Sequence, residues 1–320
     1  MRAAAIAQPN IALIKYWGKR DVDRNLPAVG SISITLRELF TQMRVQLDAG
    51  LPHDVLAVNG TPDTALLPRL SACLDRVLGA ERSRARIDSR CNFPIAAGLA
   101  SSASAFAALT VAAAAAGSKS SEPAVLASLA GRASGSAARS LYSGFVELEN
   151  TADDIAVRTL RDPGEWPLTV VVAITASGPK SVGSTRAMEL SRQTSPFYSS
   201  WIEQQPHDLG VAREAIMQRD FAKLAAVSEH NCLKMHSIMW ASRPPIVYWN
   251  SATMECLQTI RDLQAQGVGV FFTMDAGPQV KAVCLPEYAQ QVSAALGATE
   301  GVIELMESGL GDAARLVDLA

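Results

Sequence analysis

Five short stretches of this chain carry side chains that could do chemistry. Residues 94–105, PIAAGLASSASA, pass from a strand exit through Gly98 to Ser101, Ser102 and Ser104, ahead of an alanine-rich helix. Gly98 can take positive φ and leave backbone N–H groups free. A helix start there favours an anion by about 0.3–1 kcal/mol, and up to about 2 when partly buried. The serines can donate to phosphate oxygens or to a metal's water shell. No GK[ST] follows and no GxGxxG is present, so the stretch reads either as a phosphate cradle or as a small-residue turn before a packed helix.

Residues 10–21, NIALIKYWGKRD, gather Lys15, Lys19 and Arg20 around Tyr16, Trp17 and Gly18. Ile11, Leu13 and Ile14 would anchor the segment while the cations project toward a di- or triphosphate; a solvated charged turn is the other reading. Residues 134–145, SGSAARSLYSGF, set Ser134 and Ser136 before one arginine, Arg139. Its fork can clamp a carboxylate, at roughly 1.5–3 kcal/mol for a charge-assisted bond, or can lie on the surface of a serine-capped helix start. In residues 273–279, TMDAGPQ, Asp275 follows an apolar run and precedes Gly-Pro. A carboxylate at a strand end is a candidate base for a substrate hydroxyl, or an ordinary turn residue. Residues 180–188, KSVGSTRAM, form a polar loop with Lys180, Ser184, Thr185 and Arg186, either a substrate-anion loop or a mobile surface loop.

His230 and His236 lie six apart, off the facing i,i+4 spacing, and read as structural. Trp201, Trp240 and Trp249 read as core or interface. With no GxSxG and no evident catalytic His or Cys, acyl transfer has no engine, and a serine hydrolase is disfavoured. Cations, a Gly-Ser loop and one aspartate suit phosphoryl transfer, where positioning and charge do most of the work.

These groups must be held by a mixed set of elements. SISITL (31–36) and QMRVQL (42–47) alternate at period two and predict an early antiparallel pair. Residues 3–16 are apolar but irregular, and Pro9 interrupts them. DVLAVNG (54–60) predicts a strand ending in an Asn-Gly turn. Helices are expected over 66–78, 102–116, 123–132, 200–203, 209–219, 221–236 and 252–266. Residues 168–175, LTVVVAIT, predict a buried strand, and 267–274 and 281–285 two more joined by DAGPQ. Without strict βαβ alternation, the pattern predicts α+β rather than a Rossmann sheet. The Pro163–Pro167 stretch suggests a boundary between domains 1–167 and 168–320.

The chain has 320 residues, 48% hydrophobic and 19% charged, with a net charge of −2. That excludes disorder and gives no global basic field, so nucleic acid is not an expected partner. The five cysteines form no CxxC pair and fit a reduced, cytoplasmic protein. The N-terminus lacks a signal-peptide h-region, and no run is long enough to span a bilayer, so no membrane partner is expected.

Together and in this order, the motifs resemble the diphosphomevalonate decarboxylase family of the galactokinase/homoserine kinase/mevalonate kinase (GHMP) superfamily. The resemblance runs nearly end to end, through NIALIKYWGKRD, NFPIAAGLASSAS, SGSAARSLYSGF, KSVGSTRAM and DAGPQ, with TSPFYSSW and KMHSIMWASRPP between. It implies a two-domain GHMP-type fold with the site in the interdomain cleft, often as a homodimer. It implies ATP as co-substrate with Mg²⁺, and mevalonate 5-diphosphate as substrate. By the same resemblance Asp275 is the base or orienting group at the 3-hydroxyl, and Lys15 matches a catalytic position of the family. Arg139 holds the substrate carboxylate with Asn10. Tyr16, Lys19 and Ser184 hold the diphosphate, and Ser134 and Ser136 lie near the substrate. Gly98, Ser101 and Ser102 meet the ATP phosphates. The chain departs from the family pattern at Cys91, Ile95, Ala133, Gly183 and Gln279. A mevalonate 5-phosphate enzyme and a non-catalytic nucleotide binder are the alternatives.

Overall fold

A computed structural model describes residues 1–93, 101–178 and 180–318. Helices and mostly antiparallel strands mix along the chain, giving the α+β class expected from the sequence. One six-stranded sheet has the order Arg315–Val317, Arg2–Ala7, Thr41–Asp48, Arg84–Cys91, Val55–Val58, Thr61–Pro62. Among the described residues, only Val55–Val58 against Arg84–Cys91 is parallel. A four-stranded sheet runs Ile155–Arg161, Phe145–Asn150, Ser31–Thr35, Asn10–Ile14. Another in the C-terminal half runs Val270–Thr273, Val280–Cys284, Thr169–Ile174, Glu304–Gly309.

Several local expectations hold for local reasons. Asn59 and Gly60 both take positive φ, 49° and 83°, so the Asn-Gly pair closes a hairpin that pairs Val58 with Thr61. Thr169–Ile174 lies in mid-sheet and is buried on both faces, which is why its apolar run does not alternate. The helix Ser101–Ala116 is apolar all round and is buried between the six-stranded sheet and the helices Leu67–Leu78 and Pro123–Ala133. Alanine suits it because small side chains let three neighbours approach closely.

Four expectations are corrected. Residues 31–36 and 42–47 do not pair: Ser31–Thr35 joins the four-stranded sheet and Thr41–Asp48 the six-stranded one. The connection between them, Leu36 to Phe40, carries no Asn-Gly or Gly-rich hairpin turn, and it crosses from one sheet to the other. The irregular segment 3–16 forms two strands, Arg2–Ala7 and Asn10–Ile14, one in each sheet. Small alanines hide its period, and Pro9, with no N–H to give a ladder, sits at the change of sheet. Residues 200–203 and 209–219 belong to one helix, Tyr198–Gln218, which runs through Pro206. Buried Trp201 and Leu209 flank the proline, so packing offsets its lost hydrogen bond. The polar loop at 180–188 is a helix, Ser184–Thr194, from its fifth residue on.

The two halves share a core. Ile11, Leu13 and Phe145 pack in one buried cluster with Val170, Leu209 and Phe271. The chain end also returns to its beginning, with Arg315–Val317 pairing against Arg2–Ala7.

Candidate active site

Between the halves lies a cleft of about 990 Å³. Asn10, Lys15, Tyr16, Lys19, Ser101, Ser102, Ser134, Ser136, Arg139, Ser184 and Asp275 all line it. Gly98 and Ile95 lie outside the described residues. The other departures from the family pattern have plain surroundings. Cys91, Ala133 and Gly183 line the cleft, and a Cβ added to Gly183 would meet nothing within 4 Å. Gln279 accepts from Thr175 N at 2.6 Å and donates to Ala176 O at 2.8 Å, tying the Asp275 turn to the segment that leads to Lys180.

Asp275 sits just past the strand Val270–Thr273, where the hairpin to Val280–Cys284 turns. Lys15 sits just past the strand Asn10–Ile14. Its ammonium donates to Asp275 Oδ1 at 3.0 Å and to Ala12 O at 2.8 Å, and the side chain is 1% exposed. Asp275 Oδ2 is buried and makes no hydrogen bond, while the side chain as a whole stays 26% exposed. Burial alone would raise the Asp275 carboxyl, but Lys15, Lys281 and Arg139 more than offset it and hold it below the usual value.

The Lys15 peptide is itself gripped. Asn231 Oδ1 accepts from Lys15 N at 2.8 Å, and Gln205 donates to Lys15 O at 2.7 Å. Asn231 in turn donates to Gln205 at 2.9 Å and to Asp208 at 2.6 Å. Two helices thus fix a backbone carrying a buried cation, and none of these partners is legible from local spacing.

Arg139 is not a surface residue. It lies in the one-turn 3-10 helix Ala137–Leu141 and is 2% exposed. Nε donates to Ser33 at 2.9 Å, Nη2 to Asn10 Oδ1 at 3.0 Å, and Nη1 to Ser31. Among the described residues three of its five N–H groups are used, which leaves donor capacity for a carboxylate. Asn10 is oriented by its own donation to Ser140 Oγ at 2.8 Å and Ser136 O at 2.9 Å. Burial lowers the Arg139 guanidinium to about 10, against the opposing pull of Asp275 and Tyr16.

The remaining groups flank this centre. The Tyr16 hydroxyl is buried without a partner, and burial pushes its phenol up. A Cβ on Gly135 would stand 2.5 Å from that hydroxyl, so only glycine admits the tyrosine. Burial and Arg69 lower the Lys19 ammonium, and Glu189 opposes them. Ser134 Oγ donates to Ser102 Oγ at 3.3 Å, joining two of the motifs. Ser184 opens its helix and accepts from Lys180 at 2.6 Å, so a helix N-terminus and a cation meet at the cleft. His236 is buried against Trp249, and burial lowers its imidazole to about 3, which suits the structural reading.

Sequence reasoning overlooked Lys281, Arg69, Ser31 and Ser33. A lysine inside the apolar strand VKAVC was the available signal for the first. Arg69 lies over the Phe106 ring at 5.0 Å, in a cleft end lined by Leu56, Val58 and Leu70. The cleft therefore has an apolar end and a cationic end with one carboxylate, which fits a nucleotide base on one side and a polyanion on the other. Among the described residues no three His, Cys, Asp or Glu cluster to hold a metal. Mg²⁺ fits this donor set as the companion of nucleotide phosphates, with the Ser101 and Ser102 hydroxyls as candidate protein donors; it would supply charge neutralisation.

Residues 7–157 match the family model described as the diphosphomevalonate decarboxylase-like N-terminal domain. Residues 170–308 match the mevalonate 5-diphosphate decarboxylase C-terminal domain. Diphosphomevalonate decarboxylase of Candida albicans is 34% identical over 301 residues, covering 87% of this chain and 83% of its own. The crystal structure of mevalonate diphosphate decarboxylase from Staphylococcus aureus superposes with a TM-score of 0.93 at 32% identity, covering 99% of this chain and 98% of that one. The structure of MDDEF in complex with MVAPP, AMPPCP and magnesium gives a TM-score of 0.91 at 31% identity, covering 100% and 99%.

Proposed function

The chain belongs to the diphosphomevalonate decarboxylase family, and from that premise we infer how its cleft carries out the reaction. The protein catalyses ATP-dependent decarboxylation of mevalonate 5-diphosphate, with Mg²⁺, on a two-domain GHMP-type fold. The 3-hydroxyl oxygen attacks the γ-phosphorus and ADP leaves. The C3–O bond then breaks with phosphate as leaving group. Finally the C–C bond to the carboxylate breaks, its electron pair forms the double bond of isopentenyl diphosphate, and CO2 departs.

In this reading Asp275 meets the 3-hydroxyl and accepts its proton or its hydrogen bond as the oxygen attacks. Lys15 fixes the carboxylate's position. Arg139 and Asn10 hold the substrate carboxylate aligned for cleavage, which matters because the bond must lie in the right plane as C3 becomes electron-poor. Tyr16, Lys19 and Ser184 take the diphosphate, with Ser134 and Ser136 beside the substrate. Gly98, Ser101 and Ser102 take the ATP phosphates, and the apolar end around Phe106 takes the base. The observation that carries the reading is one half-buried carboxylate, paired to Lys15 at 3.0 Å, in the same cleft as a buried arginine with N–H groups to spare.

We place the domain division near residue 168, supported by the two matched segments, 7–157 and 170–308. No helix among the described residues is long and apolar enough to cross a membrane. We extend the reading to a cytoplasmic homodimer, on the family resemblance; light scattering at working concentration tests the dimer.

The test of the reaction is ADP and CO2 release with ATP, Mg²⁺ and either mevalonate 5-diphosphate or mevalonate 5-phosphate. Equal amounts of both products from the diphosphate are expected. Products from the monophosphate alone would move the substrate, and ADP without CO2 would leave a kinase.

A further inference from the structure

Strand alternation sets Thr273, Asp275 and Lys281 on one face of their hairpin, since Thr273 lies directly opposite Lys281 and Asp275 two residues on. That face looks at the strand carrying Lys15: Thr273 Oγ1 donates to Ala12 O at 3.2 Å, the carbonyl that Lys15 also reaches. Lys281 is fully buried in mid-sheet, between Thr169–Ile174 and Val270–Thr273. Its ammonium donates to Gln279 O at 3.3 Å and stands 3.7 Å from Asp275 Oδ2. Oδ2 is the oxygen that has no hydrogen bond.

A lysine is seldom buried so completely without a purpose for its charge. Here the charge is close enough to attract the carboxylate and too far to occupy the oxygen's lone pairs. We propose that Lys281 is a positioning residue for the reaction, a buried counter-charge that holds the Asp275 carboxylate at Oδ2 while Lys15 holds Oδ1. It acts through Asp275 and touches neither substrate. The proposal rests on the reading of Asp275 as the group at the substrate hydroxyl.

The charged and titratable groups around Asp275 come from every element packed on it. Lys15 follows the strand Asn10–Ile14, Arg139 lies in the 3-10 helix, and Lys180 follows the strand Thr169–Ile174. Cys232 and His236 come from the helix Phe221–Trp240. Burial lowers the Lys281 ammonium, Asp275 pushes it back up, and Lys15 adds to the lowering. Without Lys281, Asp275 loses one of the cations that hold it below its ordinary value, so its proton affinity rises. Activity that needs the carboxylate then fails at a higher pH than in the wild type.

The experiment is a pH profile of kcat for Lys281→Met and Lys281→Gln, with Asp275→Asn alongside. The acid limb is expected to move up by about one pH unit or more, while KM for ATP stays within about twofold. An acid limb left in place, whether kcat falls at every pH or stays normal, overturns the proposal. So does failure of both neutral variants to fold, which would assign Lys281 to holding the sheet. If Asp275→Asn is as active as wild type, the reading of Asp275 itself fails and takes the proposal with it. An inert Asp275→Asn beside an unmoved limb in the lysine variants removes the proposal alone.

Discussion

Glu147 lies fully buried on the strand Phe145–Asn150, where two arginines close on it. Arg158 of the next strand donates to Oε2 at 3.1 and 2.8 Å, and Arg213 of the helix Tyr198–Gln218 donates to Oε1 at 2.6 Å. Both oxygens are satisfied, and both arginines reach water. Asp275 also lies between two cations, but its side chain is half-buried, only Oδ1 is bonded and both its lysines are fully buried. The Glu147 cluster welds the N-terminal strands to a helix of the C-terminal half. The Asp275 cluster leaves Oδ2 without a hydrogen bond, which in the proposed reading is capacity for the substrate. Saturated charge holds a fold, whereas charge held short of saturation is poised for a ligand.

The sharpest way to break this contrast is Asp275→Asn. We expect kcat to fall by about 10²–10⁴-fold while binding of a non-hydrolysable ATP analogue persists. Single-turnover ADP and CO2 release measures the first and calorimetry the second; near-normal turnover would dissolve the distinction. Arg139→Gln comes next, with at least about 2 kcal/mol lost in kcat/KM, or roughly 30-fold. A loss confined to ATP affinity would mean the arginine serves the other ligand.

Glu147→Gln should do the reverse. It should cost about 2 kcal/mol of stability, less than the roughly 3–5 kcal/mol of a fully buried pair because the arginines can be hydrated, and lower Tm by roughly 4–8 °C. Its steady-state kinetics should stay at wild-type values, and a collapse of kcat in a folded variant would blur the comparison. Ser184→Ala should have the smallest effect, raising KM for the diphosphate substrate about tenfold with kcat nearly unchanged. A kinetic assay with the phosphate end of the substrate varied would show whether the loss follows the diphosphate.

The legible parts of this molecule are those whose causes lie within a few residues. The Asn59-Gly60 hairpin, the alanine helix and the mid-sheet strand at 169–174 each follow from local chemistry. The misread parts depend on distant partners. Thr41–Asp48 looked like the hairpin mate of Ser31–Thr35, but its partners are Arg2–Ala7 and Arg84–Cys91. No period in residues 31–47 could reveal that, because alternation reports which face is buried and not which strand lies alongside. The loop expected over 180–188 gives way to a helix from Ser184 because polar residues suit a half-exposed helix as well as a turn.

The same division runs through the site. The amino-acid sequence by itself determined which reactive groups exist, a single aspartate after an apolar strand, one arginine behind two serines, lysines beside an aromatic pair. It also determined that they sit at element ends. Only the tertiary structure decided that Arg139 is buried rather than solvated, with Ser31 and Ser33 as its partners from over a hundred residues away. Only packing brought Lys15 to Asp275 across 260 positions and set Lys281 behind the same carboxylate. The physical reason is range. Propensity and capping act within a turn or two of chain, whereas the field at a buried carboxylate is summed over whatever the folded core brings within a few ångströms of it.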